Sequence, residues 1–404
     1  MRPIDDCYNV FDLREAARSR LPKCVFEFVD RGTEDEVSLA ENQAAFRRLK
    51  LRTRFMVDLT GRDMSIDLFG KPCRMPMLIG PTGAAGLCWH LGELALARAA
   101  ANAGVPFTLT MTSLTPIERI ARESGGRLWY QVYMWAETHY TYEMIARARD
   151  LGVEALIITI DTAAGRNREY NHRNGFTDPF SINRRVVADM VRHPRWLLGT
   201  LLRHVMASGM PRHENYPEKY RRITGIRPGP EPMRHEAMTW RDVAALRRFW
   251  PRILIVKGVL SPEDARQALE CGADGIVVSN HGGRAMDSAI ATIDALPAIV
   301  AEVGERTTVL FDSGIRRGSD VLKALALGAK AALIGRATLY GVAVAGQEGA
   351  EKALELLRGE LEKNMAYVGC RHVREIGPDI FAAPAFGLHH RMGGQAVHDE
   401  GPRT

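Results

Sequence analysis

The sequence predicts a (β/α)8 TIM barrel with an N-terminal helical cap over residues 1–70 and a long basic insertion after strand four. Three observations lead there: eight short apolar runs, capped helical stretches between them, and polar side chains gathered at the ends of the runs. The runs are PMLIG (76–80), PFTLT (106–110), LWYQVY (128–133), ALIITID (155–161), ILIVKG (253–258), GIVVSN (275–280), TVLFD (308–312) and AALIG (331–335). Short, near-continuous apolar stretches rich in β-branched residues suit strands buried on both faces of a parallel sheet.

The intervening helices carry their own signals. ELALARAAANAG (93–104) ends in Gly. SPEDARQALECG (261–272) opens with a Ser N-cap and a Pro in the first turn, and GSDVLKALALG (318–328) has the same plan. An open doubly wound sheet is the competing architecture. The first glycine-rich turn, GPTGAAG, lacks the GxGxxG spacing that a dinucleotide fold would carry there. The barrel is expected over 71–385, and FGLHHRMGGQAVHDEGPRT (386–404) reads as a loose tail.

Composition narrows the function classes. The six cysteines are scattered without a CxxC pair, which points to reduced thiols in the cytoplasm and no metal site. Residues 75–92 carry no charged side chain, but two prolines and four glycines make them strand and loop rather than a membrane span. The formal charge is +6, yet residues 181–235 hold eleven Arg or Lys against four Asp or Glu. The remainder is therefore near neutral, and bulk charge gives no nucleic-acid signature.

That basic segment lies in the insertion, about residues 175–238, where about 90 residues separate the fourth and fifth runs. It contains HPRWLLGTLLRHVM (193–206), whose Trp196, Leu197, Leu201 and Leu202 could form an apolar face beside Arg195 and Arg203. Such a helix suits an anionic membrane surface. An active-site lid or an oligomer contact suits it equally.

Barrel chemistry sits at the C-terminal ends of the strands. Those ends read Pro81-Thr82-Gly83, Thr110, Gln131 with Tyr133, Thr159 with Asp161, Lys257, Ser279 with His281, Asp312, and Gly335-Arg336. DSGIRRG (312–318) and GRAT (335–338) look like phosphate loops, with Gly314 and Gly335 for close approach and Arg316 and Arg336 as fork-shaped donors. Lys257 ends an apolar strand and needs a negative partner. Asp161 beside His281 would raise the imidazole pKa and fix its tautomer, preparing a general base.

LPK (21–23), WYQVY, TIDTAAGRNRE, LIVKGVLSPEDA, VVSNHGGRAMD, DSGIRRGSDVLKALALGA and GRATLYG together resemble the FMN-dependent α-hydroxy-acid oxidases and dehydrogenases, over about residues 8–377. RMPMLIGPTG, HPRW and DSGIRRGSD stand nearest the family's mandelate- and membrane-associated lactate-oxidising branches. The resemblance implies FMN at the barrel mouth, with its N5 edge near Pro81, Thr82 and Gly83. It implies flavin hydrogen bonds from Thr110, Gln131, Thr159 and Ser279, and Lys257 beside the N1/O2 side. Asp312, Gly314, Arg316, Gly335 and Arg336 would hold the ribityl chain and phosphate. His281, oriented by Asp161, would be the base, and Arg168, Arg284 and Tyr133 would grip the substrate.

The implied reaction is oxidation of an (S)-2-hydroxy acid to the 2-oxo acid. Oxygen, or a quinone or other carrier, would accept the electrons, and a homotetramer would be the assembly. An FMN barrel isomerase, or a flavin-binding protein without turnover, is the alternative. One residue departs from the pattern: Phe28 stands where the family has a carboxylate-binding tyrosine. Losing one hydrogen bond to a charged group costs about 1.5–3 kcal/mol, so the expected acid end is a modified one, such as an amide, ester or larger conjugate. Met111 and Thr112 replace a bulky aromatic of some members, which suggests room for an aryl or larger group.

Overall fold

The computed structural model describes residues 3–177, 180, 183–224 and 236–382; the expected tail at 386–404 lies outside them. Eight parallel strands close into a barrel: β1 (Met77–Ile79), β2 (Phe107–Thr110), β3 (Leu128–Val132), β4 (Ala155–Thr159), β5 (Ile253–Val259), β6 (Gly275–Val278), β7 (Thr308–Phe311) and β8 (Ala331–Ile334). β8 returns to β1 through Ala332 opposite Met77 and Ile334 opposite Ile79, so no edge is left open. All eight expected strands form. Most of the apolar runs extend a residue or two past their strands because the polar strand ends belong to loops, whereas β5 continues one residue beyond its run.

Two of the three helix signals hold as read, whereas the third helix, Gly318–Ala326, has Arg317 at its N-cap and Ser319 inside it. Gly92–Ala103 ends on Gly104 at φ 67°, and Pro262–Glu270 begins where the Ser261 hydroxyl accepts from the Asp264 N–H at 3.1 Å. The register places like positions side by side: Thr110 pairs with Gln131, and Thr159 pairs with Lys257. Strand ends that are far apart in sequence thereby share one rim.

Three helices precede the barrel: α1 (Val10–Arg20), α2 (Lys23–Asp30) and α3 (Val37–Arg48). They fasten its loops. Buried Arg20 donates to the carbonyls of Cys88 and Ala343 at 3.0 and 2.6 Å, and to the Thr200 hydroxyl at 3.4 Å. Asn42 of α3 exchanges two hydrogen bonds with Asn280, and Asp287 accepts from the Asp35 and Ser38 N–H groups at the start of α3. The loop after β6 is thus clamped from above.

The insertion has two faces, and its inner face differs from the expected one. Trp196 is buried, donating from Nε1 to the Leu87 carbonyl at 2.6 Å, and Leu197 and Leu201 pack toward the barrel. The outward apolar residues are Leu198, Leu202 and Met206, one helical turn apart, with Val187 and Val191 nearby. Of the four residues expected on one face, only Leu202 is exposed. The indole needs a carbonyl partner when desolvated, and the barrel supplies it.

Gly283 takes φ 69°, and a Cβ there would meet the Leu39 backbone nitrogen at 2.6 Å. We expect Gly283→Ala to lower stability by about 1–3 kcal/mol, read as a reduced urea midpoint with an unchanged slope.

Candidate active site

The loop after β6 begins with a strained residue. His281 adopts φ 59°, in the left-handed region that a non-glycine side chain enters only under constraint. Its backbone N–H donates to the Ser279 hydroxyl at 3.1 Å, and its Nδ1 lies 2.6 Å from Asp161 Oδ1. Asp161 reaches that position because its neighbour across the sheet is Gly258. This glycine has φ 107°, and a Cβ on it would lie 2.6 Å from the Asp161 Cβ. The β5–β6 register shifts between Lys257 and Val259, a local bulge that aims the lysine into the barrel.

Burial pushes the Asp161 carboxyl up, but the charges of His281 and Lys257 and the His281 hydrogen bond outweigh it, leaving the pKa at about 2. Asp161 is therefore an acceptor only. The proton of the Asp161–His281 contact sits on Nδ1, and Nε2 is left with a bare lone pair. Nε2 lies 3.5 Å from the Tyr133 hydroxyl. The expected upward shift of the imidazole does not occur. Burial and the nearby Arg166 charge overcome Asp161 and hold His281 at about 3.

Lys257 is fully enclosed. Its Nζ donates to Ser279 Oγ at 2.8 Å and lies 3.1 Å from Asp312 Oδ2 and 4.0 Å from Asp161 Oδ2. Burial pulls its pKa down, and the two carboxylates more than reverse this. Behind it runs a chain of hydrogen bonds, from the Thr110 hydroxyl to Gln131 Oε1 at 2.7 Å and from Gln131 Nε2 to the Thr159 hydroxyl at 3.0 Å.

The guanidiniums of Arg284 and Arg168 share the cavity with the imidazole. Arg284 donates from Nη1 to the carbonyls of Phe28 and Arg31 at 2.6 and 2.9 Å. Arg168 is half-buried as a residue, but its Nε and Nη2 are buried and have no hydrogen-bond partner. Burial, followed by repulsion from Arg284 and Arg166, drives the Arg168 pKa well below its usual value. The Phe28 ring stacks on Phe176 with centroids 4.3 Å apart, and lies 5.7 Å from the Arg168 guanidinium and 5.0 Å from that of Arg284. Phe28 therefore meets both arginines through its π face rather than through a hydroxyl.

These groups line one cavity of about 1160 Å³. Of the residues singled out from sequence, it is lined by Phe28, Pro81, Thr82, Gly83, Thr110, Gln131, Tyr133, Thr159, Arg168, Lys257, His281, Arg284, Asp312, Gly314, Arg316, Gly335 and Arg336. Asp161 and Ser279 lie one layer deeper, holding His281 and Lys257 in place. Thr112 also lines the cavity, whereas Met111 is buried behind it, its sulfur 3.0 Å from the Tyr133 N–H.

The residues fit a flavin mononucleotide. The volume accommodates the group beside a small acid, the buried Thr82 hydroxyl has no protein partner, and Arg316 and Arg336 meet at the loops after β7 and β8. Gly314, which lines the cavity, has a packing reason besides the one expected: with φ 85°, a Cβ would lie 2.3 Å from the Asn42 carbonyl, so α3 leaves no room for a side chain. Arg336 also ties the chain together, donating to the carbonyls of Val29, Gly282 and Arg31. Sequence reading passed over Arg166, which lines the cavity and donates from Nη2 to the Tyr133 hydroxyl at 3.4 Å. The signal was there in GRNRE, two residues before Arg168. Among the described residues no cluster of His, Cys, Asp and Glu could hold a metal ion.

Comparisons with known proteins bear on the family and the fold. The FMN-dependent dehydrogenase family model matches residues 17–383. (S)-Mandelate dehydrogenase of Pseudomonas putida is 40% identical over 373 residues, spanning 92% of this chain and 93% of that protein. L-lactate dehydrogenase of Azorhizobium caulinodans is 37% identical over 371 residues, spanning 91% and 96%. A crystal structure of the monotopic membrane protein (S)-mandelate dehydrogenase superposes with a TM-score of 0.85 at 38% identity, covering 94% of this chain and all of that one. Mandelate oxidase with (S)-2-phenylpropionate gives 0.76 at 36% identity, covering 92% and 97%.

The ligand-free protein should keep the His281 imidazole neutral at pH values where an ordinary histidine, titrating near 6.5, is half protonated. The depressed pKa has this sign because protonation would add a cation to an enclosed, cation-rich site. Nitrogen-15 NMR of the histidine side chains measures it, and an ordinary titration at His281 would contradict the electrostatics.

Proposed function

Because the chain belongs to the FMN-dependent dehydrogenase family, we propose that it oxidises an (S)-2-hydroxy acid with an aryl or larger side chain to the 2-oxo acid. One observation supports this above the rest: an Asp-held imidazole, its Nε2 facing the Tyr133 hydroxyl, shares its cavity with an arginine whose buried Nε and Nη2 have no hydrogen-bond partner. A base and an unmet carboxylate receptor are what such an acid requires.

Arg168 offers Nε and Nη2 side by side, the fork that receives a carboxylate with two parallel hydrogen bonds. Arg284, fixed by two carbonyls, adds a second cation. Phe28 leaves this capacity intact, which favours a free carboxylate over the amide or ester that its substitution for tyrosine suggested. The incoming negative charge offsets the field that keeps His281 weakly basic. Nε2 then takes a proton from the substrate, and the imidazolium is steadied by Asp161. The Tyr133 hydroxyl, adjacent to Nε2, holds the substrate oxygen.

FMN, when bound, supplies the acceptor for the hydride equivalent released from the substrate. Pro81, Thr82, Gly83 and the Thr110–Gln131–Thr159 chain would hold its ring, with Lys257 as the adjacent positive charge. Gly314, Arg316, Gly335 and Arg336 would hold its phosphate end. Phe28, Phe176 and Phe180 wall the outer cavity with apolar surface, suited to an aryl group and to excluding water.

The outward face of the insertion supports membrane contact and a quinone or other membrane carrier as electron acceptor. Leu198, Leu202 and Met206 are exposed beside exposed Arg184, Arg185, Arg192, Arg195 and Arg203, a pairing of apolar and cationic groups that suits an anionic bilayer surface. The inner face bears on the chemistry too, since Met190, Trp196 and Leu201 line the cavity. No helix among the described residues is long and apolar enough to cross a membrane.

Purified protein should be yellow and bleach anaerobically with mandelate or lactate. His281→Asn should stay yellow and bleach about 10²–10⁴-fold more slowly; unchanged bleaching would remove His281 from the reaction. Changing Leu198, Leu202 and Met206 to Ser should abolish co-sedimentation with phosphatidylglycerol vesicles while leaving flavin bleaching in place. Retained sedimentation would show that this face is not the contact.

A further inference from the structure

We propose that Arg166 is a specificity-determining residue that receives a second carboxylate on the substrate, so that the enzyme prefers 2-hydroxy acids carrying two anionic groups. This deepens the hydroxy-acid reading and rests on it. Three guanidiniums, of Arg166, Arg168 and Arg284, line one cavity. A single carboxylate is satisfied by the Arg168 fork with Arg284 behind it, which leaves Arg166 only the longer-range field of Asp161, a carboxylate already held by His281 and Lys257. Among the described residues Arg166 forms no ion pair, and its hydrogen bond is to the Tyr133 hydroxyl, at a weak 3.4 Å. Glu236, the other carboxylate lining the cavity besides Asp312, is solvent-exposed.

Charge bookkeeping points the same way. Around the reacting centre stand Arg166, Arg168, Arg284 and Lys257 against Asp161 and Asp312, an excess of two positive charges in an enclosed space. One carboxylate cancels half of it, and a second completes the balance. The cost of leaving it uncancelled is visible in its neighbours: after burial itself, repulsion from Arg166 helps to lower the pKa of His281, Arg168 and Arg284. Geometry limits the reach. Arg166 and His281 Nε2 both contact the Tyr133 hydroxyl, so the guanidinium lies at most two hydrogen-bond lengths from the base. A carboxylate bound there sits within a few bonds of the hydroxyl-bearing carbon, on the side chain of the acid.

The test compares matched pairs in the FMN-loaded enzyme: (S)-2-hydroxybutyrate with (S)-malate, (S)-2-hydroxypentanoate with (S)-2-hydroxyglutarate, and mandelate with 3-carboxymandelate. We expect kcat/KM for anaerobic bleaching to favour the diacid in at least one pair by about ten- to a hundredfold, the worth of a charge-assisted hydrogen bond. The ratio should collapse toward one in Arg166→Gln and return in part in Arg166→Lys. No preference for any diacid, or a ratio unchanged in Arg166→Gln, overturns the proposal. Unreactive succinate and butyrate, titrated against the flavin absorbance, give the same comparison without turnover: succinate should bind more tightly, and only while Arg166 is present. If no hydroxy acid bleaches the flavin, the hydroxy-acid reading fails, and the succinate titration still decides the role of Arg166.

Discussion

Enclosing charge at the mouth of an apolar barrel is the constraint on which the rest of this structure depends. Lys257, Asp161 and His281 leave strands whose other side chains are almost all buried, and each would be costly there alone. They are stable as a set. Lys257 is shared by Asp312 and Asp161, Asp161 holds His281, and Ser279 receives both the lysine and the histidine backbone. Backbone details follow from this set. Gly258 is glycine because Asp161 occupies the space its side chain would need, and the β5 bulge turns Lys257 inward.

The same constraint explains the segment ahead of the barrel. Arginines brought to the mouth need acceptors as well as anions, and the carbonyls at the end of α2 provide them. Arg284 uses those of Phe28 and Arg31, and Arg336 those of Val29 and Arg31. The helical cap is thereby part of the site rather than a separate shield. α3 completes the clamp by pressing against Gly283 and Gly314, positions where its backbone comes too close for any Cβ. The insertion closes the other side, contributing Trp196 and Leu201 inward and a mixed apolar and cationic surface outward.

Much of this was legible in the sequence. Eight apolar runs gave the barrel, because burial on both faces leaves a strand no choice but continuous apolarity. The side chains ending those runs gave the site, because parallel strands in register bring all their C-terminal ends to one rim. Local chemistry marked the Ser261 cap and the Gly104 stop for the same reason: both depend only on neighbouring backbone.

Other features depend on what stands across the fold, and no stretch of sequence contains that. The tilt of His281 toward the neutral state comes from burial and from Arg166, 115 positions away, overriding the Asp161 whose influence the pairing suggested. Which face of residues 193–206 points inward was decided by a carbonyl at Leu87 able to receive an indole. A second demand on Gly314 came from a helix of the N-terminal segment, and Ser279 was drawn behind the cavity by a lysine on the neighbouring strand. Sequence by itself determined the barrel and the rim on which its polar residues meet, since periodicity and strand ends are local properties. Tertiary structure alone decided protonation, orientation and which cation lacks a partner, since those are set by distances between segments that only the closed barrel brings together.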